Sequence, residues 1–163
     1  MKQRNEQEIL HVAASYCSMA ERCIEDVRRK ISSTGASAEM EERIITRLLA
    51  EKFIDESRYC RCFVNDKFRF NRWGRIKIGY ELRQKGIAAD VLSEAIGQID
   101  EETYESALFA LLKEKKRTTK GRTEQDVFNK LYRFAVSRGF ESNLAVRQLK
   151  NLFNQRFDVD VDT

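Results

Sequence analysis

Aromatic and basic side chains alternate along one short stretch of this 163-residue chain, residues 63–75. Arg and Lys can neutralise phosphate groups, and an exposed Phe or Trp can stack on an unpaired base. The rings also have helical spacing, which is typical of a core between helices. They are Tyr59, Phe63, Phe70 and Trp73. The rings therefore either pack in a core or form part of a nucleic-acid-binding surface, and the sequence leaves both alternatives open. The basic side chains between them indicate a partner surface.

Basic residues are concentrated in two segments. Residues 67–85 contain seven basic residues and one acidic residue, and residues 113–122 contain six basic residues and one acidic residue. Residues 90–105, in contrast, contain six acidic residues and no basic residue. Such segregated charges suit a partner that is partly acidic and partly basic better than simple wrapping by DNA. We predict partner contacts at Lys67, Arg69, Arg72, Arg75, Lys77, Arg83, Lys85, Lys115, Lys116 and Arg117.

Few residues of the chain could perform catalysis. His11 is the only histidine, and the sequence contains neither a Gly-x-Ser-x-Gly nucleophile turn nor a glycine-rich phosphate-binding loop. The acidic pair Asp55-Glu56 precedes a predicted helix, where carboxylates cap free backbone amides. We therefore expect no enzymatic activity and no cofactor.

The cysteines do not form a metal or disulfide framework. Cys17, Cys23, Cys60 and Cys62 include no Cys-x₂-Cys pair, and the first six residues lack the apolar stretch of a secretory signal. We expect reduced thiols that pack as small buried hydrophobes in a cytoplasmic protein. No apolar run approaches the length of a membrane span, so we expect no membrane association.

The elements that position these residues are predicted to be helices. The chain has no proline, where average usage would give about eight, and only seven glycines, so turns for β-hairpins are scarce. Amphipathic periodicity predicts nine helices and an all-α fold. Their predicted ranges are 5–18, 20–33, 37–51, 55–69, 73–85, 88–99, 101–117, 123–138 and 141–155.

Three glycines indicate an internal repeat. Gly35, Gly86 and Gly139 are 51 and 53 residues apart, and each follows one apolar helical stripe and precedes another. The stripes before them are Val27 and Ile31, Ile78 and Leu82, and Leu131 and Ala135. The stripes after them are Met40, Ile45 and Leu48; Val91, Ile96 and Ile99; and Leu144, Leu149 and Leu152. This pattern predicts three tandem three-helix modules in an elongated, curved array, at 1–52, 53–100 and 101–155, followed by an acidic tail at 156–163.

A central motif can be read in order along the chain. Residues 53–59 read FIDESRY, Phe63 and Val64 follow, and residues 74–87 read GRIKIGYELRQKGI. Weaker segments flank it, RCIEDVRRKI at 22–31 and SRGF at 137–140. Together, from about residue 9 to 155, they resemble the RecX family of RecA regulators. Cys23 replaces the usual Ser of that family, and Glu56 replaces the second Asp.

The resemblance implies a function as well as a fold. RecX-like proteins are all-helical and have no active site. They bind the RecA–single-stranded-DNA filament and restrain its extension, ATP hydrolysis, strand exchange and co-protease activity, which links them to DNA repair, recombination and the SOS response. We expect a monomer with this partner. The alternative is a helical protein that binds naked single- or double-stranded DNA. Motif residues Gly74, Glu81, Leu82, Gly86 and Ile87 are interpreted as structural.

Overall fold

The structure, a computed structural model, describes the backbone of residues 4–158 and the side chains of residues 4–154. This part of the chain forms helices and no strand, which confirms the predicted all-α class. The helices are α1 (Glu6–Met19), α2 (Ile24–Ser32), α3 (Ala38–Ala50), α4 (Glu56–Arg69), α5 (Arg75–Gln84), α6 (Ala89–Gly97), α7 (Glu101–Lys116), α8 (Glu124–Ser137) and α9 (Ser142–Asp158). The predicted acidic tail lies outside the described residues from 159 onward, and the backbone of 156–158 continues α9.

Helix ends follow local capping chemistry. The side chains of the N-cap residues Asn5, Ser37, Asp100 and Thr123 each accept a hydrogen bond from a backbone amide of the first turn. The largest error in the predicted boundaries is at α2, which begins at Ile24 rather than at residue 20. Ala20 is extended, and the Asp26 carboxylate accepts a hydrogen bond from the Cys23 backbone amide at 3.3 Å, which sets the later start.

The chain divides into two compact units that are not continuous in sequence. The first contains residues up to Val64 together with Glu81–Ala95, and the second contains Asn65–Tyr80 together with residues from Ile96 onward. Helices α4, α5 and α6 therefore each contribute residues to both units. Within the first unit α1, α2 and α3 pack against one another, and within the second α7, α8 and α9 do so.

Each unit has its own apolar core. The core of the first unit comes from α1 to α3 and the residues after α3: Ile9, Leu10, Ala13, Val27, Ile31, Ile44, Ile45, Leu48 and Ile54. The core of the second unit is formed around Tyr104, Leu108, Leu112, Leu131, Phe140 and Leu149. Burial of these side chains is the main favourable contribution to folding of each unit.

The three repeat glycines have the left-handed backbone that stops a helix, with φ of 80°, 77° and 93°. All six stripe residues that precede them are buried, as predicted. The stripe after Gly86 was predicted wrongly. In α6 Leu92 and Ala95 are buried, whereas the predicted Val91, Ile96 and Ile99 are half-buried. The helix ends at Gly97, so Ile99 lies beyond it, and its buried side passes through positions 92 and 95 instead of 91 and 96.

No helix within residues 4–158 combines the length and the apolar character needed to span a bilayer.

Candidate functional site

The end of α4 and the loop after it carry the alternating aromatic and basic residues; we call residues 67–77 the basic–aromatic segment. All of it belongs to the second unit. Arg72 has a left-handed backbone (φ 57°), and the amide of Trp73 donates to the carbonyl of Lys67 at 3.0 Å. This turn ends α4 in the manner of a helix C-cap. It leaves Phe70 with 79% of its surface exposed.

Trp73 holds two ammonium groups of this segment. The Nζ of Lys67 lies 4.9 Å from the indole centroid, and the Nζ of Lys77 lies 4.5 Å from it. Both distances are within the range of cation–π attraction. The half-buried indole therefore fixes two positive charges close together, and the sequence predicted both lysines as partner contacts.

Arg69 and Arg72 are exposed members of the same segment. The Arg72 guanidinium forms an ion pair with Glu114, at the end of α7. The hydrogen bond from Arg72, and then its charge, lower the pKa of Glu114. Exposed ion pairs of this kind contribute little to stability, so Arg72 can exchange its partner at small cost.

Arg75 is held much more firmly than its neighbours. Its guanidinium forms ion pairs with Glu101 and with Glu141, the second at 2.9 Å, and lies 3.8 Å from the centroid of the Tyr104 ring. Its backbone amide donates to the Tyr104 hydroxyl at 3.0 Å, and that hydroxyl donates to Glu141. Burial, followed by the hydrogen bond to Glu141, raises the pKa of Tyr104. This network favours a structural role for Arg75.

The second predicted basic segment lies at the C-terminal end of α7, where cations are favoured by the helix dipole. Lys115 has its Nζ 5.0 Å from the ring of Phe134, and Lys116 has its Nζ 4.2 Å from the ring of Phe153. Arg117 is exposed. Because Glu114 pairs with Arg72, the structure brings this helix end together with the basic–aromatic segment.

Arg83 and Lys85 belong to the first unit. Arg83 is exposed, whereas the Nζ of Lys85 lies 2.9 Å from Asp26 Oδ1, and the Asp26 side chain is only 13% exposed. Burial is the largest single influence and opposes the charge on both groups, but the mutual hydrogen bond, the attraction between the two charges and, for Asp26, the bonds from Cys23 together outweigh it. The pKa of Lys85 is therefore raised and the pKa of Asp26 is lowered. Lys85 anchors the first turn of α2 from the C-terminal end of α5.

The acidic pair before α4 divides into two roles. Asp55 Oδ1 accepts the backbone amide of Arg58 at 3.0 Å, which confirms the predicted cap. One carboxylate oxygen of Glu56 is buried and has no hydrogen-bond partner. Burial raises the pKa of Glu56, although the backbone amide of Ile24 lowers it in part.

Two of the four cysteines match the predicted burial. Cys23 and Cys60 are buried, and burial is the main cause that raises the pKa of each thiol to about 11. The prediction was wrong for Cys62, which is exposed, and Cys17 is half-buried. Among the described residues no group of three His, Cys, Asp or Glu side chains could hold a metal ion.

Exposed apolar residues are the feature that sequence reasoning missed. Ile76 and Tyr80 are each 55% exposed, and with Phe70 they lie in the same 65–80 stretch of the second unit. Ile76 and Tyr80 are one turn apart on α5, on the side opposite buried Ile78. This spacing is visible in the sequence, where α5 has apolar residues on two opposite sides. A helix with that pattern is expected to pack against other surfaces on both sides.

Comparison with known families identifies similar sequences. A family model described as the second three-helix domain of RecX matches residues 55–96. These residues lie inside the range 53–100 predicted for the second module, and the division of the chain into three modules stays a prediction. A regulatory protein RecX of Prosthecochloris aestuarii is 31% identical over 152 residues, which are 93% of this chain and 98% of that protein.

A second relative is longer than this chain. The regulatory protein RecX of Clostridium botulinum strain Eklund 17B is 36% identical over 132 residues, covering 78% of this chain. The chain spans about 60% of the length of that relative.

Two solved structures share the fold. A crystal structure of regulatory protein RecX superimposes with a TM-score of 0.82 at 22% identity, over 90% of this chain and 73% of that one. The crystal structure of RecX from Lactobacillus salivarius superimposes with a TM-score of 0.80 at 17% identity, over 90% of this chain and 96% of that one. At these identities the similarity concerns the fold alone.

Proposed function

The chain belongs to the RecX family of regulatory proteins, and from that premise we propose that it is a non-enzymatic regulator of the RecA–single-stranded-DNA filament. It binds the assembled filament and inhibits its extension, ATP hydrolysis, strand exchange and co-protease activity. It acts as a monomer in the cytoplasm, where RecA filaments serve recombination, DNA repair and the SOS response. The observation that carries this proposal is the 31% identity to a RecX protein that the chain covers over 98% of its length.

The basic–aromatic segment supports the proposal as a contact surface. It combines exposed Arg69 and Arg72 with the two lysines held on Trp73. Aromatic and arginine side chains are enriched among residues that dominate binding energy at protein interfaces. Phe70, with 79% of its surface exposed, supplies an apolar anchor in the middle of these charges.

The proposed contact set is narrower than the sequence prediction. We keep Lys67, Arg69, Arg72, Lys77 and Arg83, together with the helix end at Lys115, Lys116 and Arg117. We propose that Arg75 and Lys85 instead support the fold, because each is already paired with partly buried carboxylates. A partner would have to replace those internal pairs before it could use these two cations.

The alternative function is direct binding to naked DNA. Exposed Phe70 between Arg69 and Arg72 is the observation that favours it, because an exposed ring beside cations is typical of single-strand binding surfaces. The two functions differ in stoichiometry. A regulator of the filament acts through RecA protomers that are already assembled, whereas a competitor must cover the strand.

A titration of RecA's single-stranded-DNA-dependent ATPase with the full chain tests the proposal. We expect half-maximal inhibition well below one molecule per RecA protomer. Inhibition that develops only when the chain is sufficient to cover the DNA would favour the alternative. An unchanged ATPase rate at an equimolar ratio would contradict the proposal outright. A chain heated until its helical circular dichroism is lost provides the control.

A further inference from the structure

A polar groove runs between α7 and α9 in the second unit, away from the basic–aromatic segment in sequence. Its volume is about 650 Å³. From α7 it is lined by Glu102, Glu105 and Phe109, and from α9 by Gln148, Asn151 and Asn154. The spacing of these residues, three or four positions apart, places one stripe of each helix along the groove.

Gln148 is the unusual member of this groove. It is 8% exposed and is the one polar residue buried to this extent among the described residues. Its side chain forms no hydrogen bond with any side chain or backbone group that the structure describes. Glu56 Oε2 is the one buried side-chain polar atom without a partner among the described residues, so the unbonded amide of Gln148 must reach the solvent of the groove. The amide faces a groove that a ligand could fill.

The groove presents acceptors and negative charge. Glu102 and Glu105 supply carboxylates, and the three amides of α9 each supply a carbonyl oxygen. The guanidinium of Arg147 already donates to Glu105 Oε1, and the Arg147 side chain is 56% exposed. The groove carboxylate therefore accepts a guanidinium in this structure, from a side chain that solvent can displace.

We propose that this groove binds an arginine-bearing segment of a protein partner. A guanidinium has five donors and no acceptor, which matches a site made of carboxylates and amide oxygens. The half-buried ring of Phe109 offers an apolar surface for the arginine stem. Nucleic acid is disfavoured here because its phosphates would meet the two carboxylates. The residues of this site differ from those proposed to contact the RecA filament, and its test does not use RecA.

The experiment is an NMR titration of the ¹⁵N-labelled full chain with acetyl-tri-arginine amide. We expect saturable shifts of the side-chain amide resonances of Gln148, Asn151 and Asn154. Acetyl-tri-citrulline amide, which has a similar shape without the charge, should leave them in place. A 15-mer of oligo-dT should leave them in place as well. Shifts of equal size with tri-citrulline, or shifts caused by the oligonucleotide alone, would overturn the proposal.

Two variants distinguish specific binding in the groove from non-specific attraction of the peptide to acidic residues. Glu105→Gln should raise the half-saturating concentration of tri-arginine about tenfold, because a hydrogen bond to a charged group is lost. Glu94→Gln removes an exposed carboxylate from α6 and should change nothing. Equal effects of the two variants would mean that the peptide binds by net charge, which contradicts the proposal.

A third variant distinguishes binding from structure. Gln148→Leu should abolish the tri-arginine shifts at Asn151 and Asn154 while the melting temperature stays the same or rises, because the Gln148 amide has no hydrogen bond within the protein to lose. A clear fall in melting temperature would assign Gln148 to the fold and overturn its role in the site.

Discussion

At the scale of single residues, neighbouring cations of the same charge have different surroundings. Arg72 and Arg75 are three positions apart, and both were predicted as partner contacts. The Arg72 side chain is 51% exposed with one carboxylate partner, whereas the Arg75 side chain is 21% exposed with two carboxylates and a tyrosine ring. Exposure and partner number, which the sequence does not display, are the grounds on which we propose Arg72 as a binding residue and Arg75 as a structural one.

Charge reversal should separate the two arginines. Arg72→Glu should change the free energy of unfolding by less than about 1 kcal/mol, because an exposed ion pair is lost, and should weaken inhibition of the RecA ATPase. Arg75→Glu should lower the free energy of unfolding by about 3 kcal/mol, because a carboxylate would then face Glu101 and Glu141. Urea denaturation and the ATPase titration measure both effects. Arg133→Glu, on an exposed position of α8, is the matched control. Equal loss of stability in the two variants would refute this assignment.

Glu56 should make stability depend on pH in an unusual direction. Its pKa is raised in the folded state above the ordinary 4.5, so the folded protein holds that proton more tightly than the unfolded chain. This contribution to stability is complete below pH 4.5 and is lost as the pH rises through the raised pKa. Glu56→Gln should therefore be more stable than the original chain at pH 7.5, with a difference that shrinks towards pH 4.5. Urea denaturation at both pH values tests this, and a difference that is the same at both would contradict it.

At the scale of elements, a close backbone approach in the second unit joins the start of α5 to the turn after α8. The Gly74 amide donates to the carbonyl of Arg138 at 2.8 Å, and the Ile76 amide donates to the carbonyl of Gly139 at 3.0 Å. A Cβ on Gly74 would lie 2.4 Å from the Gly139 carbonyl carbon. These contacts explain why glycine is needed at both positions. Gly74 leaves space for the neighbouring backbone, and Gly139 leaves space and also has a positive φ.

Gly74→Ala should therefore be strongly destabilising. We expect a loss on the order of 3 kcal/mol in the free energy of unfolding, because backbone atoms must move to admit the methyl group. Gly97→Ala is the matched control, since a Cβ there meets nothing within 4 Å, and we expect a change within about 0.5 kcal/mol. Urea denaturation compares the two. Similar values for both variants would show that the contact between Gly74 and Gly139 is dispensable.

Helices were predictable at this scale, and contacts between them were not. The absence of proline, the cap residues and the glycine stops are local signals, so most boundaries were placed within two residues. The approach of Gly74 to Gly139 joins positions 65 residues apart, and no local pattern reports it. Phe70 shows the same limit. A ring at helical spacing gives the same sequence pattern whether its side of the helix is covered by another element or exposed to solvent, and Phe70 is exposed. The groove between α7 and α9 was missed because its amides have no charge pattern.

At the scale of the whole molecule, the surplus of positive charge is small and much of it is internally paired. The net charge is +4, and arginines on both units form ion pairs with nearby carboxylates. In the basic–aromatic segment, the exposed or ring-bound cations outside the Arg75 network are Lys67, Arg69, Arg72 and Lys77. Four contacts to phosphate are therefore expected from this segment by itself, without the cations at the end of α7.

Salt should consequently separate the two proposed functions. Binding of naked single strands through four phosphate contacts would have a logarithmic salt slope of about −3, which lowers affinity about fifty-fold between 50 and 200 mM salt. Inhibition of RecA through apolar and paired contacts on the filament should decline far less, because such contacts release few counterions. We therefore expect the concentration for half-maximal ATPase inhibition to rise less than tenfold over that range, while fluorescence anisotropy shows DNA binding falling as calculated. RecA without the chain, assayed at both salt concentrations, gives the reference rates. If inhibition and DNA binding decline in parallel, the chain competes for the strand, and regulation of the assembled filament is the wrong description.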